Sequence, residues 1–286
     1  MDVSKLKINE EFIGHIFYNS EKNILHHLKI IKTIRESEFE IFCLANRPNE
    51  LCDLMNNTFV SASWEDSNLV LMDSNYNIVK SIDQYDGKRI RPNGLAINDK
   101  NELFISDCTS HQIIVTDLEL NKIKTFGSHG TLFDQFNNPA GICFHKNGDL
   151  YVCDENNKRV QVFDNDLNFK TSINLNYSPW SIKTSNCCVF ITNNPTQVAY
   201  VYDLENWKLK TQHEIFLGRL NAINFNIYGI GRSQTLYCFN SYGDLIEKVD
   251  IQRIKQNQKH LTYLLLFSFN KTIMFYDPNK KCIKFK

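Results

Sequence analysis

Short apolar stretches broken by Asp, Asn, Gly and Pro run along this chain, a pattern that predicts β-strands joined by tight turns. Leu95-Ala96-Ile97, Leu150 to Cys153 and Arg159 to Phe163 are clear instances, and Asn147-Gly148-Asp149 between two of them is a hairpin signal. Asp closes many of the stretches, as at Asp107, Asp117, Asp154, Asp164, Asp203 and Asp277. Strict inside/outside alternation is missing, and Tyr263 to Phe269 is continuously apolar. Strands of that kind belong to sheets covered on both faces.

The pattern repeats. Pro92 to Asp117 recurs 47 residues later as Pro139 to Asp164, with Pro, Gly, Leu, Asp, Val and Asp in register. Recurrence at a fixed period predicts a repeat architecture in which each copy is one supersecondary unit. Pro92-Asn93-Gly94 reads as a turn that opens a strand, because Pro fixes φ and Gly admits positive φ. Between the copies lies the linker Gly127-Ser-His-Gly-Thr-Leu-Phe-Asp-Gln-Phe136.

Further hairpins extend outward from the two clear copies. Phe59 to Ser63 with Asn68 to Asp73 and Ile78 to Ile82 precede them. Pro179-Trp180-Ser181, Val189 to Thr192 and Ala199 to Asp203 follow, with Ser181 where the earlier copies have Gly, which predicts an altered opening turn. Then come Ile227 to Gly231 with Thr235 to Asn240, and Leu261 to Phe269 with Thr272 to Asp277 and Ile283 to Phe285. In the first 49 residues Phe12 to Tyr18, Ile24 to Ile31 and Glu40 to Leu44 fit a degenerate first unit, although Asn23 to Ile34 also reads as a short helix.

Asn157-Lys-Arg-Val-Gln-Val-Phe-Asp164, together with the Pro-x-Gly opening and the Gly-x-x-Gly…Gln-Phe linker, resembles the NHL repeat, and Ser110 to Asp117 fits it loosely. The resemblance implies an all-β fold, a β-propeller of four-stranded antiparallel blades occupying residues 1–286 as a single unit. A spacing of about 40 residues fills the chain with seven blades, whereas propellers of this family generally have six. Small residues at Gly94, Ala96, Gly141 and Ala222 suit a crowded inner strand.

Composition narrows the class. The chain has 286 residues, 32 basic and 32 acidic side chains, and the hydrophobic share of an ordinary globular protein. Zero net charge argues against nucleic-acid binding through bulk positive charge. The N-terminus has no apolar stretch long enough for a signal peptide, and Leu264 to Phe267 is far short of the roughly 20 residues of a membrane helix. A soluble, cytoplasmic, monomeric protein is expected. Nine cysteines without a C-x-x-C pair predict buried free thiols, with Cys187-Cys188 adjacent by coincidence.

Chemistry is harder to find. The strand-ending Asp residues are spread over the repeats, which predicts turn capping instead of acid/base work. Neither zinc motifs, nucleophile elbows nor phosphate loops occur. No catalytic residue, cofactor or metal is expected. The propeller lyases and calcium-dependent lactonases that share the architecture remain the enzymatic alternative.

Loops between a blade's second and third strands, and between blades, are expected on one face, the usual place for recognition. Assigning them puts Lys88, Arg89, Arg91, Lys158, Arg159, Arg219 and Arg232 there, interleaved with Trp64, His111, His129, Tyr177 and Trp180. A non-catalytic scaffold binding a protein or peptide is the function expected. Single-stranded RNA is the alternative partner, through cations on phosphates and rings on bases.

Overall fold

A computed structural model describes residues 39–41, 50–53, 58–63, 66–73, 78–193, 196, 198–214, 220–223, 226–230, 235–250, 273–275 and 283–285. Five four-stranded antiparallel sheets follow one another along the chain. The first comprises Glu50–Asp53, Phe59–Ser63, Asn68–Met72 and Ile78–Ile82. The second comprises Pro92–Ile97, Leu103–Asp107, Gln112–Thr116 and Lys122–Phe126. Pro139–Phe144, Leu150–Asp154, Arg159–Phe163 and Phe169–Asn174 make the third. Pro179–Thr184, Cys188–Asn193, Val198–Asp203 and Leu209–Glu214 make the fourth, and Leu220–Ile223, Asn226–Ile230, Thr235–Phe239 and Leu245–Asp250 the fifth.

A sixth, three-stranded sheet joins the two ends of the described chain. Phe39–Ile41 pairs with Ile283–Phe285, which pairs with Ile273–Phe275. The strand around Glu40, which the spacing assigned to a seventh unit, therefore lies beside the C-terminal strands. Phe12 to Tyr18, Ile24 to Ile31 and Leu261 to Phe269 lie outside the described residues.

Each sheet is sandwiched between its neighbours, and the missing alternation has a simple cause. Along Leu103–Asp107, Leu103 and Ile105 pack with Val60, Leu69 and Leu71 of the first blade, while Phe104 packs with Ile142, Leu150 and Val152 of the third. Along Leu150–Asp154 the same rule holds, since Tyr151 and Cys153 turn toward Ile182, Val189 and Ile191 of the fourth. Period 2 thus survives as a choice of neighbour, and both choices are apolar. Fourth strands meet solvent instead, with Lys122–Phe126 exposed along its centre.

First strands lie side by side at the centre. A Cβ placed on Gly94 would sit 2.6 Å from Ala140 O, and one on Gly141 would sit 2.7 Å from both Ser181 Cα and Trp180 O. Neither glycine has a positive φ, so the turn role suggested by the sequence is replaced by close backbone approach. Ser181 in the fourth blade keeps the same bulged register, Pro179 opposite Asn193 and Ser181 opposite Thr192. Its hydroxyl accepts a hydrogen bond from Leu220 N at 3.3 Å, filling the gap toward the fifth blade with a side chain.

Turn capping accounts for one class of strand-ending carboxylate. Asp117 accepts from Glu119 N and Asn121 N, Asp164 from Asp166 N and Asn168 N, and Asp203 from Glu205 N and Asn206 N. Leu120 and Leu167 inside two of these cages take positive φ, a conformation that costs a non-glycine residue about 1–2 kcal/mol. Lysines then tie blades together. Lys80 donates to Glu119 O and Asn121 Oδ1, and Lys210 donates to Tyr242 O of the following blade.

Among the described residues Cys108, Cys143, Cys153, Cys187 and Cys188 are free thiols, and all but Cys187 are buried. No helix among the described residues is long and apolar enough to cross a membrane.

Two outcomes follow. Gly141→Ala should lower stability by about 2–3 kcal/mol in urea denaturation, because the backbone of residues 180–182 that faces it cannot yield. Gly87→Ala, with open space around it, should cost only its φ penalty. The Asp164 carboxyl is held below its ordinary value chiefly by the Asn168 side chain and amide. At Asp117 partial burial pushes upward, but hydrogen bonds from Asn121 and Glu119 outweigh it. Groups depressed in this way stabilise the fold above their unfolded pKa and lose that contribution as pH falls through the folded one. Acid titration monitored by fluorescence should therefore show stability declining from about pH 4 downward, with a shallower decline in the Asp117→Asn, Asp164→Asn double variant.

Candidate recognition face

Loops between second and third strands and loops between blades are hydrogen-bonded into one surface. Cys108 N donates to Arg91 O, Glu155 N to Asn138 O and Leu175 N to Lys158 O. The buried carboxylates Asp107 and Asp154 organise it, and they form a second class distinct from the turn caps. Asp107 Oδ1 accepts from Arg91 N at 2.7 Å, and its Oδ2 accepts from the Ser110 hydroxyl at 2.5 Å. Asp154, fully buried, accepts from Asn137 N at 2.7 Å, Asn157 Nδ2 at 2.8 Å and Arg159 Nε at 2.7 Å.

The Asn-x-Arg-x-Gln signature of the third blade now has a physical meaning. Asn157 Nδ2 donates to Gly130 O at 2.8 Å. Arg159 Nη1 donates to Thr131 O at 2.9 Å, and its Nη2 donates to Leu132 O and Gln135 O at 2.7 and 2.8 Å. Gln161 Nε2 donates to Gln135 O at 2.7 Å, and its Oε1 accepts from Asp134 N at 3.2 Å. One side chain of the turn and two of the strand that follows it satisfy the carbonyls of the linker that precedes their own blade. Such a linker has no ladder partner for most of its length, so its backbone needs these donors.

The second blade shows the converse. Its preceding connection is a self-paired hairpin, Gln84–Tyr85 against Lys88–Arg89, closed by Ile90 N on Asp83 O. Gln112 stands where the third blade has Arg159, and its amide donates to Gly127 O, in the linker that follows its own blade.

Placement of the predicted face residues divides them. Lys88, Arg89, His129 and Lys158 are exposed, and Arg91, His111 and Trp180 are half-buried. Arg159 is only 7% exposed, and its guanidinium is committed to Asp154 and the linker, so it acts as a clasp. Tyr177 is also buried, stacked on Tyr200 with its hydroxyl 3.0 Å from that of Tyr202. Trp64, Arg219 and Arg232 lie outside the described residues.

His111 and His129 meet with ring centroids 4.5 Å apart. His111 Nδ1 accepts from Asn138 N at 2.9 Å, which places the ring proton of the neutral form on Nε2. Burial lowers its pKa, and the neighbouring His129 lowers it further, against the pull of Asp107 and Asp154. A ring locked as an Nδ1 acceptor has no free lone pair for a metal. Among the described residues no group of three or more His, Cys, Asp or Glu side chains is arranged to hold a metal ion.

Sequence reasoning passed over the most exposed apolar feature of the face. Leu132 and Phe133, at the tip of the linker, are 69% and 62% exposed, and Phe133 stacks on Phe169 at 4.3 Å. The signal was present as two consecutive large apolar residues in a glycine-bounded loop. It was obscured because the linker's next aromatic, Phe136, is wholly buried.

Removing the clasp should be costly. Arg159→Ala leaves the buried Asp154 carboxylate without its cationic partner and takes a donor from each of three linker carbonyls, for an expected loss of about 3–5 kcal/mol in chemical denaturation. Limited proteolysis of the variant under native conditions should cut first between residues 127 and 136. Arg159→Lys should recover little, since one ammonium cannot reach the same fork of acceptors.

Comparison with known proteins bears on the same stretch. The model of the NHL repeat matches residues 136–163, from the linker's last aromatic to the end of the third strand. The B-box type zinc finger protein ncl-1 of Caenorhabditis elegans is 44% identical over 45 residues, covering 16% of this chain and 5% of that protein. This chain thus matches only a small part of that relative's length. Among solved structures, a streptogramin B lyase superposes with a TM-score of 0.62 at 12% identity over 87% of this chain and 86% of its own. The WD40 domain of Neurospora crassa Pan2 does so with a TM-score of 0.62 at 8% identity, over 88% of this chain and 96% of its own. At such identities the likeness is one of fold. The chain is a β-propeller, and residues 136–163, which include most of its third blade, match the NHL repeat.

Proposed function

We propose that this protein is a non-catalytic recognition module that holds a protein or peptide partner on the face built by residues 83–91, 107–112, 127–138 and 154–159. The observation that carries this reading is the braced linker. Arg159, Asn157 and Gln161 fix its backbone, yet it presents Leu132 and Phe133 to solvent. Ordering a loop on binding costs free energy, and a loop already ordered avoids that cost. Large exposed apolar side chains with a polar surround mark the centres of protein contacts. Other large exposed apolar residues, such as Ile78, Val79, Ile123 and Leu209, sit on outermost strands.

A second reading rests on different residues of the same face. Lys88, Arg89 and Lys158 are exposed cations, and His111 and His129 form a pair of contacting rings. That combination suits single-stranded RNA, with cations on phosphates and rings against bases. The lyases in the structural comparison share the fold, and a lyase reading would need converging acid/base or metal-binding groups.

Affinity capture from cell extract with quantitative mass spectrometry separates these readings. Proteins retained by the wild type should fall about thirtyfold in the Leu132→Ser, Phe133→Ser double variant, the loss of roughly 2 kcal/mol expected of a hot spot. Ile123→Ser, on an outer strand, should retain them. Unchanged capture by the double variant would remove the protein reading. Capture abolished by ribonuclease and by Lys88→Glu, Arg89→Glu would favour the RNA reading.

A further inference from the structure

Cys187 and Cys188 are the motif that neither the fold nor the recognition face absorbs. Adjacent side chains of an extended strand point to opposite sides. Here Cys187 lies in the bend just before the strand Cys188–Asn193, and the two sulfurs end up 3.9 Å apart. They sit at the seam between the fourth and fifth blades, on the face opposite the linker. Cys187 Sγ donates to Ser241 O at 3.2 Å, and Lys210 Nζ is 3.6 Å from Cys188 Sγ. Cys187 is half-buried and gives access, while Cys188 is enclosed.

The separation selects the chemistry. A direct disulfide would need the sulfurs to close by about 1.8–1.9 Å. A pyramidal three-coordinate centre that bonds sulfur at about 2.3 Å, with an angle of about 100°, holds its two sulfurs about 3.5 Å apart, which leaves about 0.4 Å to close from the separation seen here. The spacing therefore fits a bridging atom. Zinc would require further ligands to reach four, and no third His, Cys, Asp or Glu joins the pair among the described residues. The Lys210 ammonium beside Cys188 also opposes a dication. A neutral three-coordinate centre that brings its own third substituent meets neither obstacle.

We infer that Cys187 and Cys188 form a bidentate dithiol site for trivalent organoarsenicals. Two thiols and an arsenoso group, R–As=O, give R–As(S–Cys)2 and water. Two As–S bonds form, the As–O double bond breaks, both thiol protons leave in the water, and no oxidation state changes. Burial pushes the Cys188 thiol up to about 11, and Cys187 reinforces the shift, so at neutral pH this sulfur enters as the protonated thiol that the reaction consumes. The adduct draws Cys187 Sγ away from Ser241 O and so acts on the turn of the fifth blade. The site is independent of the recognition face.

Phenylarsine oxide, incubated with the full chain in excess glutathione, tests this by intact-protein mass and peptide mapping. One adduct should survive the monothiol, map to the peptide holding both residues and leave with 2,3-dimercaptopropanol. Cys188→Ala removes an enclosed side chain and can disturb the fold, so half-buried Cys187→Ser is the decisive variant. It should lower the retained adduct about a hundredfold or more, as expected when a two-point attachment becomes a one-point one. Retention by Cys187→Ser, mapping to another cysteine, or no glutathione-resistant adduct on the wild type would each overturn the inference.

Discussion

The buried carboxylate of Asp154 is the point from which the third blade and its linker are built. It ends the second strand, turns the chain toward the third, and accepts from Asn137 N, Asn157 and Arg159. A fully buried charge is tolerable only with a partner and enough donors, and this one has both. Because Arg159 is oriented by Asp154, its remaining donors reach the linker at fixed positions. The same carboxylate thus supports the hairpin turn, the strand that follows it and the loop above. Asp107 does the equivalent with Arg91 N, Thr109 N and Ser110, and without an arginine it supports a shorter connection. In the fourth blade the position is Asn193, buried with its Oδ1 unpartnered.

Between blades the organising force changes from charge to shape. Gly94 and Gly141 allow inner strands to touch backbone to backbone, and the Ser106 hydroxyl bridges the seam by accepting from Gly94 N and donating to Ala140 O. Outward from there, apolar residues of alternating strand positions fill two shared cores per blade. At the rim, lysines reach the next blade's turn, as Lys80 and Lys210 do. Exposed hydrogen bonds add little net stability, because water competes for the same groups, so these ties set register more than they add stability. The large terms are burial and close packing.

Much of this was legible in the sequence because one unit recurs. Pro139, Gly141, Leu150, Asp154, Val162 and Asp164 repeat the spacing of Pro92 to Asp117, and each marks a position that both of these copies fill alike. The Asx cages at Asp117 and Asp164 followed from residue type, since Asp side chains cap their own turns. What was not legible is which carbonyls lack donors. Arg159 and Tyr177 look like face residues in a list of loop positions, and only the path of the linker shows the first to be a clasp. Only the packing of Tyr200 and Tyr202 shows the second to be core. Gly94 was assigned to its loop by habit of residue type, while the reason for it lies 47 residues away in the next copy.

The proposed recognition site coincides with the stretch where the repeat is most regular. A linker can display Leu132 and Phe133 only if something else holds its backbone, because two exposed apolar side chains give no stabilisation of their own. The strong Asn157, Arg159 and Gln161 signature supplies that support. Where the connection is a self-paired hairpin, as before the second blade, its own ladder holds it and the exposed side chains are the cations Lys88 and Arg89. Each connection therefore presents a chemistry that matches how it is held: apolar anchors on a clamped loop, charges on a hairpin. A partner reading both at once would meet an apolar centre beside a basic flank, and its own surface would need an apolar pocket bordered by acidic or phosphate groups.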